Sequence, residues 1–240
     1  EEIYLDTAQI ATWARLEGGW GYLKYTDFAF KDYETTVELF DEALDSLLDT
    51  PGLIIDVRGN GGGYVDAYLA AAGRFLDEEK ILSYYQVRQP GQYGVYEMYD
   101  QKTGDAVYKM PERAEPRKPI YRGPVVILVD RDCFSACEGF AGGLQAVDRA
   151  VVAGPSATGG GSGYVSGLRL PSKAIISFSW TVAWLPDGRQ VEGNGVAPDI
   201  QVRLRARDFA SGRDRVLERG IKALEDGEAQ SLLVATGEEG

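Results

Sequence analysis

The chain has 240 residues, 44% of them apolar and 26% charged, enough to build a real core in one large domain or two small ones. Acidic residues outnumber basic ones 37 to 25 for a net charge of −12, which argues against nucleic acid as a partner, and no apolar run approaches the roughly 20 residues of a membrane helix. Histidine is absent, which removes His-based metal centres and every Ser–His or Cys–His pair formed within the chain.

Val37, Phe40, Leu44, Leu47 and Leu48 recur at three- and four-residue steps, predicting an amphipathic helix over Thr35–Leu48, ended by Pro51-Gly52. Leu53-Ile54-Ile55-Asp56-Val57 reads as a strand buried on both faces. It runs into Arg58-Gly59-Asn60-Gly61-Gly62-Gly63, then a helix from Tyr64 to Leu76 and a strand over Ile81–Arg88. Residues 90–123 predict a hairpin around Lys102-Thr103-Gly104-Asp105 and a Pro-stiffened return. This insert reads as a surface excursion, either a lid or a passive decoration. Pro124–Asp130 predicts a second buried strand, residues 134–147 a helix, and Ala150–Ala153 another strand. Strands near 164–170 and 174–184 follow the Gly-rich run 159–163. Ser211 and Asp214 resemble a capping box before a last helix with Leu217, Ile221 and Leu224. The pattern predicts a single domain over 1–225 and an acidic, fraying tail over 226–240. The opening Glu1-Glu2, with no methionine and no signal-peptide apolar region, reads as a mature or trimmed fragment. Cys133 and Cys137, four residues apart, read as small buried thiols, so neither metal nor cofactor is expected.

Three segments carry chemistry. Asp56–Gly63 links a strand to a helix and exposes backbone N–H groups, suiting an anion or a developing oxyanion. It reads equally as a tight turn; no Gly-Lys-Ser/Thr follows to make a P-loop, and its glycine spacing is wrong for a dinucleotide fingerprint. Asp132-Cys133-Phe134-Ser135-Ala136-Cys137-Glu138 places Ser135 at a helix N-terminus, either as a nucleophile or as the cap of a Ser-x-x-Glu box. Val191–Ile200 is turn-rich, and Glu192 there orients a base, binds substrate or is a solvated loop carboxylate.

In this order the segments resemble the S41 peptidases, the family of C-terminal processing proteases, tricorn-type proteases and interphotoreceptor retinoid-binding proteins. The resemblance runs from about Gly21 to Val202 through GYLKYTDF, GLIIDVRGNGGG, PVVILVDRDCFSACEGFAGGLQ and VEGNGVAPDI. It implies a ClpP/crotonase-like α/β core with a largely parallel sheet, flanking helices and the hairpin excursion. It also implies Ser135 as nucleophile and an oxyanion hole from the N–H groups of Ala136 and the Gly61–Gly62 turn. Its substrates would be proteins or peptides, cut near their C-termini, in an exported or cell-envelope setting; the oligomeric state is left open. The processing branch places its lysine base 25 positions after the serine, where this chain has Gly160. The glutamine that normally follows four residues later is Tyr164 here. The tricorn-type branch pairs serine with histidine and a glutamate that Glu192 resembles, but this chain has no histidine. Lys24, in the first core strand, is the internal stand-in for a base, or else faces solvent. The alternatives are a base supplied from outside residues 1–240, or an impaired module that holds a peptide C-terminus or an apolar ligand. The related acyl-thioester chemistry of the crotonase scaffold ranks last.

Overall fold

The computed structural model describes residues 3–5, 10–87 and 97–237. Its elements, in chain order, are β1 (Ile3–Leu5), β2 (Ala11–Arg15), β3 (Gly21–Tyr25), α1 (Tyr33–Asp45), β4 (Leu53–Asp56), α2 (Val65–Gly73), β5 (Lys80–Val87), β6 (Met98–Tyr99), β7 (Ala106–Val107), β8 (Met110–Ala114), β9 (Val125–Leu128) and α3 (Ala136–Ala146). There follow β10 (Val151–Gly154), β11 (Val165–Arg169), β12 (Ile175–Ser179), β13 (Thr181–Trp184), β14 (Ile200–Gln201), α4 (Ala206–Ala210), α5 (Arg215–Glu225) and α6 (Glu228–Gly237). The main sheet has the order β1-β2-β3-β4-β9-β10-β14. β3, β4, β9, β10 and β14 run parallel, while β1 and β2 add antiparallel strands at one side.

Alternate residues of β4 and β9 feed two cores, as expected of strands covered on both faces. Leu53, Ile55, Val125 and Ile127 pack with α1, α2 and α3 residues such as Phe40, Ala71 and Phe140. Ile54, Val126 and Leu128 pack with Val216, Ala223 and Leu224 of α5. The helix predicted at Thr35 begins earlier because Asp32 caps it, its carboxylate accepting the Thr35 N–H at 2.8 Å. For α5 the cap is Asp214 alone, accepting from Val216 and Leu217; Ser211 instead closes the short α4.

Two expectations need correction. The tail carries a helix where fraying was expected: α6 spans Glu228–Gly237, with Ala229 fully buried and Leu232 and Leu233 packed on the second core. The return of the insert is no surface excursion either. β8 pairs with β5 in a three-stranded sheet with β13, and Ala114 and Tyr121 are buried in the first core. Apolar anchors spaced among prolines carry no period, so the pattern hid them. The hairpin around Lys102–Asp105 does form, as β6 and β7, though only two residues pair on each side. The part of the insert before residue 97 lies outside the described residues.

Arg74, only 2% exposed, fastens this return to α1. It pairs with Asp41 and Asp45, and its Nε donates to the Pro119 carbonyl at 2.8 Å. Arg74→Met should cost about 2–3 kcal/mol, because it strands a carbonyl and leaves Asp41 with less compensation. Urea unfolding followed by circular dichroism would read this; a loss below about 0.5 kcal/mol would contradict it.

Candidate active site

β4 and β9 are adjacent, parallel and in register, Leu53 opposite Val125 and Asp56 opposite Leu128. Their connections to α2 and α3 therefore leave the same end of the sheet side by side. That is where open α/β sheets bind ligands. The two turns are stitched together, the Phe134 N–H donating to the Asn60 carbonyl at 3.1 Å. Asn60 is fully buried; its Nδ2 donates to the Tyr25 carbonyl at 3.0 Å and its Oδ1 accepts the Gly62 N–H at 2.9 Å.

Ser135 sits at φ 55°, ψ −122°, a backbone conformation costly for any residue but glycine. This is a sharp strand-to-helix elbow that presents the side chain at the head of α3. Three contacts hold it: the Ser135 N–H donates to the Gly161 carbonyl at 3.1 Å and to Glu138 Oε2 at 3.1 Å, and the Ser162 hydroxyl donates to the Ser135 carbonyl at 3.3 Å. The Glu138 half of the capping box is thus made, but the Ser135 hydroxyl has no hydrogen-bond partner among the described residues.

Glu138 is the hub. It is fully buried and accepts from the Thr158 hydroxyl at 2.5 Å, the Gly160 N–H at 2.7 Å and the Gly161 N–H at 3.1 Å, besides Ser135. Burial pushes its carboxyl above the ordinary range, and these donors offset that only in part. The third sequence segment docks on the same loop. The Gly193 N–H donates to the Gly160 carbonyl at 2.7 Å, the Val196 N–H to Thr158 Oγ1 at 2.7 Å, and Glu192 Oε2 accepts the Gly163 N–H at 2.6 Å.

The structure therefore brings Ser135, Ala136 and the glycine turn together, with Glu192 tied to Gly163 beside them. A cleft of about 420 Å³ opens over Ser135, lined also by Ala136, Gly61, Gly63 and Gly163. Its far wall is Tyr68, Tyr84, Tyr85, Glu112 and Tyr164. Glu112 accepts hydrogen bonds from Tyr68 at 2.6 Å, Tyr164 at 3.2 Å and Ser83, and Tyr164 packs edge-on against Tyr85 at 5.1 Å. The N–H groups of Ala136, Gly61 and Gly63 have no partner among the described residues. That of Gly62 is taken by Asn60, so Gly62 serves by its lack of a side chain: a Cβ there would lie 2.6 Å from Ser135 Cβ and 3.0 Å from the Ala136 nitrogen. At φ +100° it would be strained as well. Gly62→Ala should cost at least about 2 kcal/mol and displace Ser135, read by chemical denaturation and by lost Ser135 reactivity. Native stability in that variant would contradict the geometry.

Lys24 is not brought to Ser135. It pairs with Asp56 across β3 and β4 and shares the sheet face of Tyr22, whose hydroxyl donates to Asp56 at 2.9 Å. That face packs under α5, whereas α3 packs on the other. Strand alternation decides it: Leu23 and Tyr25 point to the face of the site and Lys24 points away. Cys133 and Cys137 are buried thiols behind the elbow, as their spacing suggested.

Sequence reasoning missed Asn60 and the wall from β5 and β8. It had Glu138 only as a cap. Asn-Gly within the first motif was a usable signal for Asn60. Nothing local marked Glu112 or Tyr85.

The α/β core with a mostly parallel sheet thus sets a serine elbow beside a glycine turn at one end of the sheet. Residues 19–202 match Peptidase family S41, and the chain belongs to that family. It is 27% identical over 208 residues to a carboxy-terminal-processing protease of Bartonella bacilliformis, covering 85% of this chain and 43% of that one. It is 29% identical over 185 residues to carboxyl-terminal-processing peptidase 3 of Arabidopsis thaliana, covering 75% and 31%. The chain thus spans less than half the length of either relative. A solved chain from Parabacteroides merdae superposes with a TM-score of 0.75 at 26% identity, covering 93% of this chain and 66% of that one. The photosystem II D1 C-terminal processing protease superposes with a TM-score of 0.56 at 25% identity, covering 76% and 42%.

Proposed function

We propose that this chain is the catalytic domain of a serine-type peptidase that cleaves protein or peptide substrates near their C-termini through an acyl-enzyme on Ser135. The observation that carries the reading is the Ser135 elbow, held at φ 55° beside the unpartnered N–H of Ala136 at the mouth of the cleft. Ser135 Oγ attacks the scissile carbonyl, and the developing O⁻ is received by the Ala136 N–H and that of Gly61 or Gly63. The amine leaves with a proton, and water releases the acyl group from Ser135. The base that takes the hydroxyl proton comes from outside residues 1–240 on this reading, since Lys24 faces away and no lysine lines the cleft among the described residues. Glu192, fixed by Gly163, is the group that orients it.

Without a base, rate falls on the order of 10²–10⁴-fold. The chain alone should therefore cleave an unfolded protein slowly, with a rate that climbs about tenfold per pH unit from 7 to 10, because hydroxide must do the base's work. A plateau near neutral pH would reveal an internal base and overturn this part. Lys24→Met should leave the rate within about threefold. Mass spectrometry of the products checks both.

A second reading has one observation in its favour: the Ser135 hydroxyl is unpartnered while the cleft is walled by four tyrosines. On that reading the chain binds peptide C-termini or an apolar ligand without turnover. Peptide binding by calorimetry, with no cleavage at pH 10, would select it.

A further inference from the structure

On the face of the sheet opposite α3, two rows of basic side chains meet across a groove of about 350 Å³. Gln201, Arg203 and Arg205 alternate along the chain as it leaves β14, and so share one side of the extended backbone. Arg215, Glu218, Arg219 and Lys222 recur at helical steps along one face of α5. Five cations and one carboxylate thus line a single groove in a chain whose net charge is −12.

Local acids engage three of the five cations. Arg219 Nη2 is bound by Glu228, Lys222 pairs with Asp226 at 2.8 Å, and Arg215 reaches Asp208 only at 3.9 Å. Glu218 is engaged by Arg213, which stands outside the groove. The side chains of Arg203 and Arg205 enter no ion pair among the described residues. Arg219 also lines the groove with its side chain 30% exposed, while its Nη1 lies buried without a hydrogen-bond partner among the described residues.

We propose that this groove is a binding site for a phosphate-class anion, a pyrophosphate or a phosphomonoester group. Guanidinium forks bind tetrahedral oxyanions bidentately, and here forks from the strand side and the helix side converge. The groove lies across the sheet from Ser135, so its occupancy is independent of the peptidase reading.

The test is calorimetric titration of the full chain with sodium pyrophosphate in low salt, alongside sedimentation with vesicles of phosphatidylcholine containing phosphatidic acid. Saturable binding of either probe is expected, weakened at least tenfold in R203A/R205A, whose side chains hold no structural pair, and unchanged in R207A, whose arginine lies outside the groove. Binding should also weaken as salt rises. Binding of free pyrophosphate alone would identify a soluble ligand, and vesicle binding that pyrophosphate displaces would identify a lipid headgroup; each supports the site. No saturable binding of either probe, or equal binding by the folded R203A/R205A variant, would overturn it.

Discussion

Ser135→Ala is expected to remove the slow, alkaline-driven proteolysis of the chain, by at least about tenfold at pH 10, while leaving the fold intact. The side chain makes no hydrogen bond among the described residues, so no structural partner is lost with the hydroxyl. The elbow itself is held by backbone groups: the Ser135 N–H on Gly161 and Glu138, and the Ser135 carbonyl under Ser162. Alanine keeps all of these. A purely capping serine would behave in the opposite way, since removal of a side-chain cap costs about 1 kcal/mol and leaves activity in place. Kinetics and thermal unfolding on the same preparation separate the two roles. Retained activity with lowered stability would return Ser135 to a capping role.

Glu138→Ala should be the most damaging single change at the site. It removes one carboxylate that satisfies three backbone N–H groups and a hydroxyl, all enclosed behind the elbow. Each buried donor left without an acceptor costs on the order of 1–3 kcal/mol, so the total should exceed about 3 kcal/mol. The Gly159–Gly161 loop would detach from α3, taking with it the carbonyl that holds Ser135 and the docking point of Gly193. Activity should fall with stability, unlike the Ser135→Ala pattern. Glu138→Gln keeps most of the acceptors and should fall between. A pH signature follows as well. Burial raises this carboxyl, so the folded state holds its proton more tightly than the unfolded chain. Between the ordinary glutamate value and the raised one, its contribution to stability falls as pH increases, and Glu138→Gln should flatten that part of the profile. Urea denaturation between pH 4 and 7 would measure it; parallel profiles for wild type and Glu138→Gln would contradict the assignment.

The parts of the fold legible in the sequence were those with strong local patterns. Leu53–Val57 and Pro124–Asp130 read as buried strands because both sheet faces are covered, and each junction with its helix was marked by glycine or serine. The three chemical segments could be aligned to a family because each is a contiguous run. What escaped was non-local. Lys24 looked usable as a base until strand alternation placed Leu23 and Tyr25, not Lys24, on the face of the site. Glu138 looked like a cap, and only the return of residues 158–161 over α3 shows why its carboxylate is buried. Glu112 and Tyr85 reach the cleft through the pairing of β5 with β8, which prolines disguised as a loop. Gly62 was expected to donate its N–H to an oxyanion; Asn60, two residues earlier, takes that N–H instead.

The central claim, that Ser135 is a reactive nucleophile poised in a cleft, is tested most directly by a fluorophosphonate probe read by intact-mass and peptide mass spectrometry. The wild-type chain should gain one adduct, mapped to Ser135, with labelling that accelerates from pH 7 to 10, and Ser135→Ala should gain none. A folded wild-type chain that stays unlabelled at pH 10, or an adduct that persists in Ser135→Ala, would contradict it.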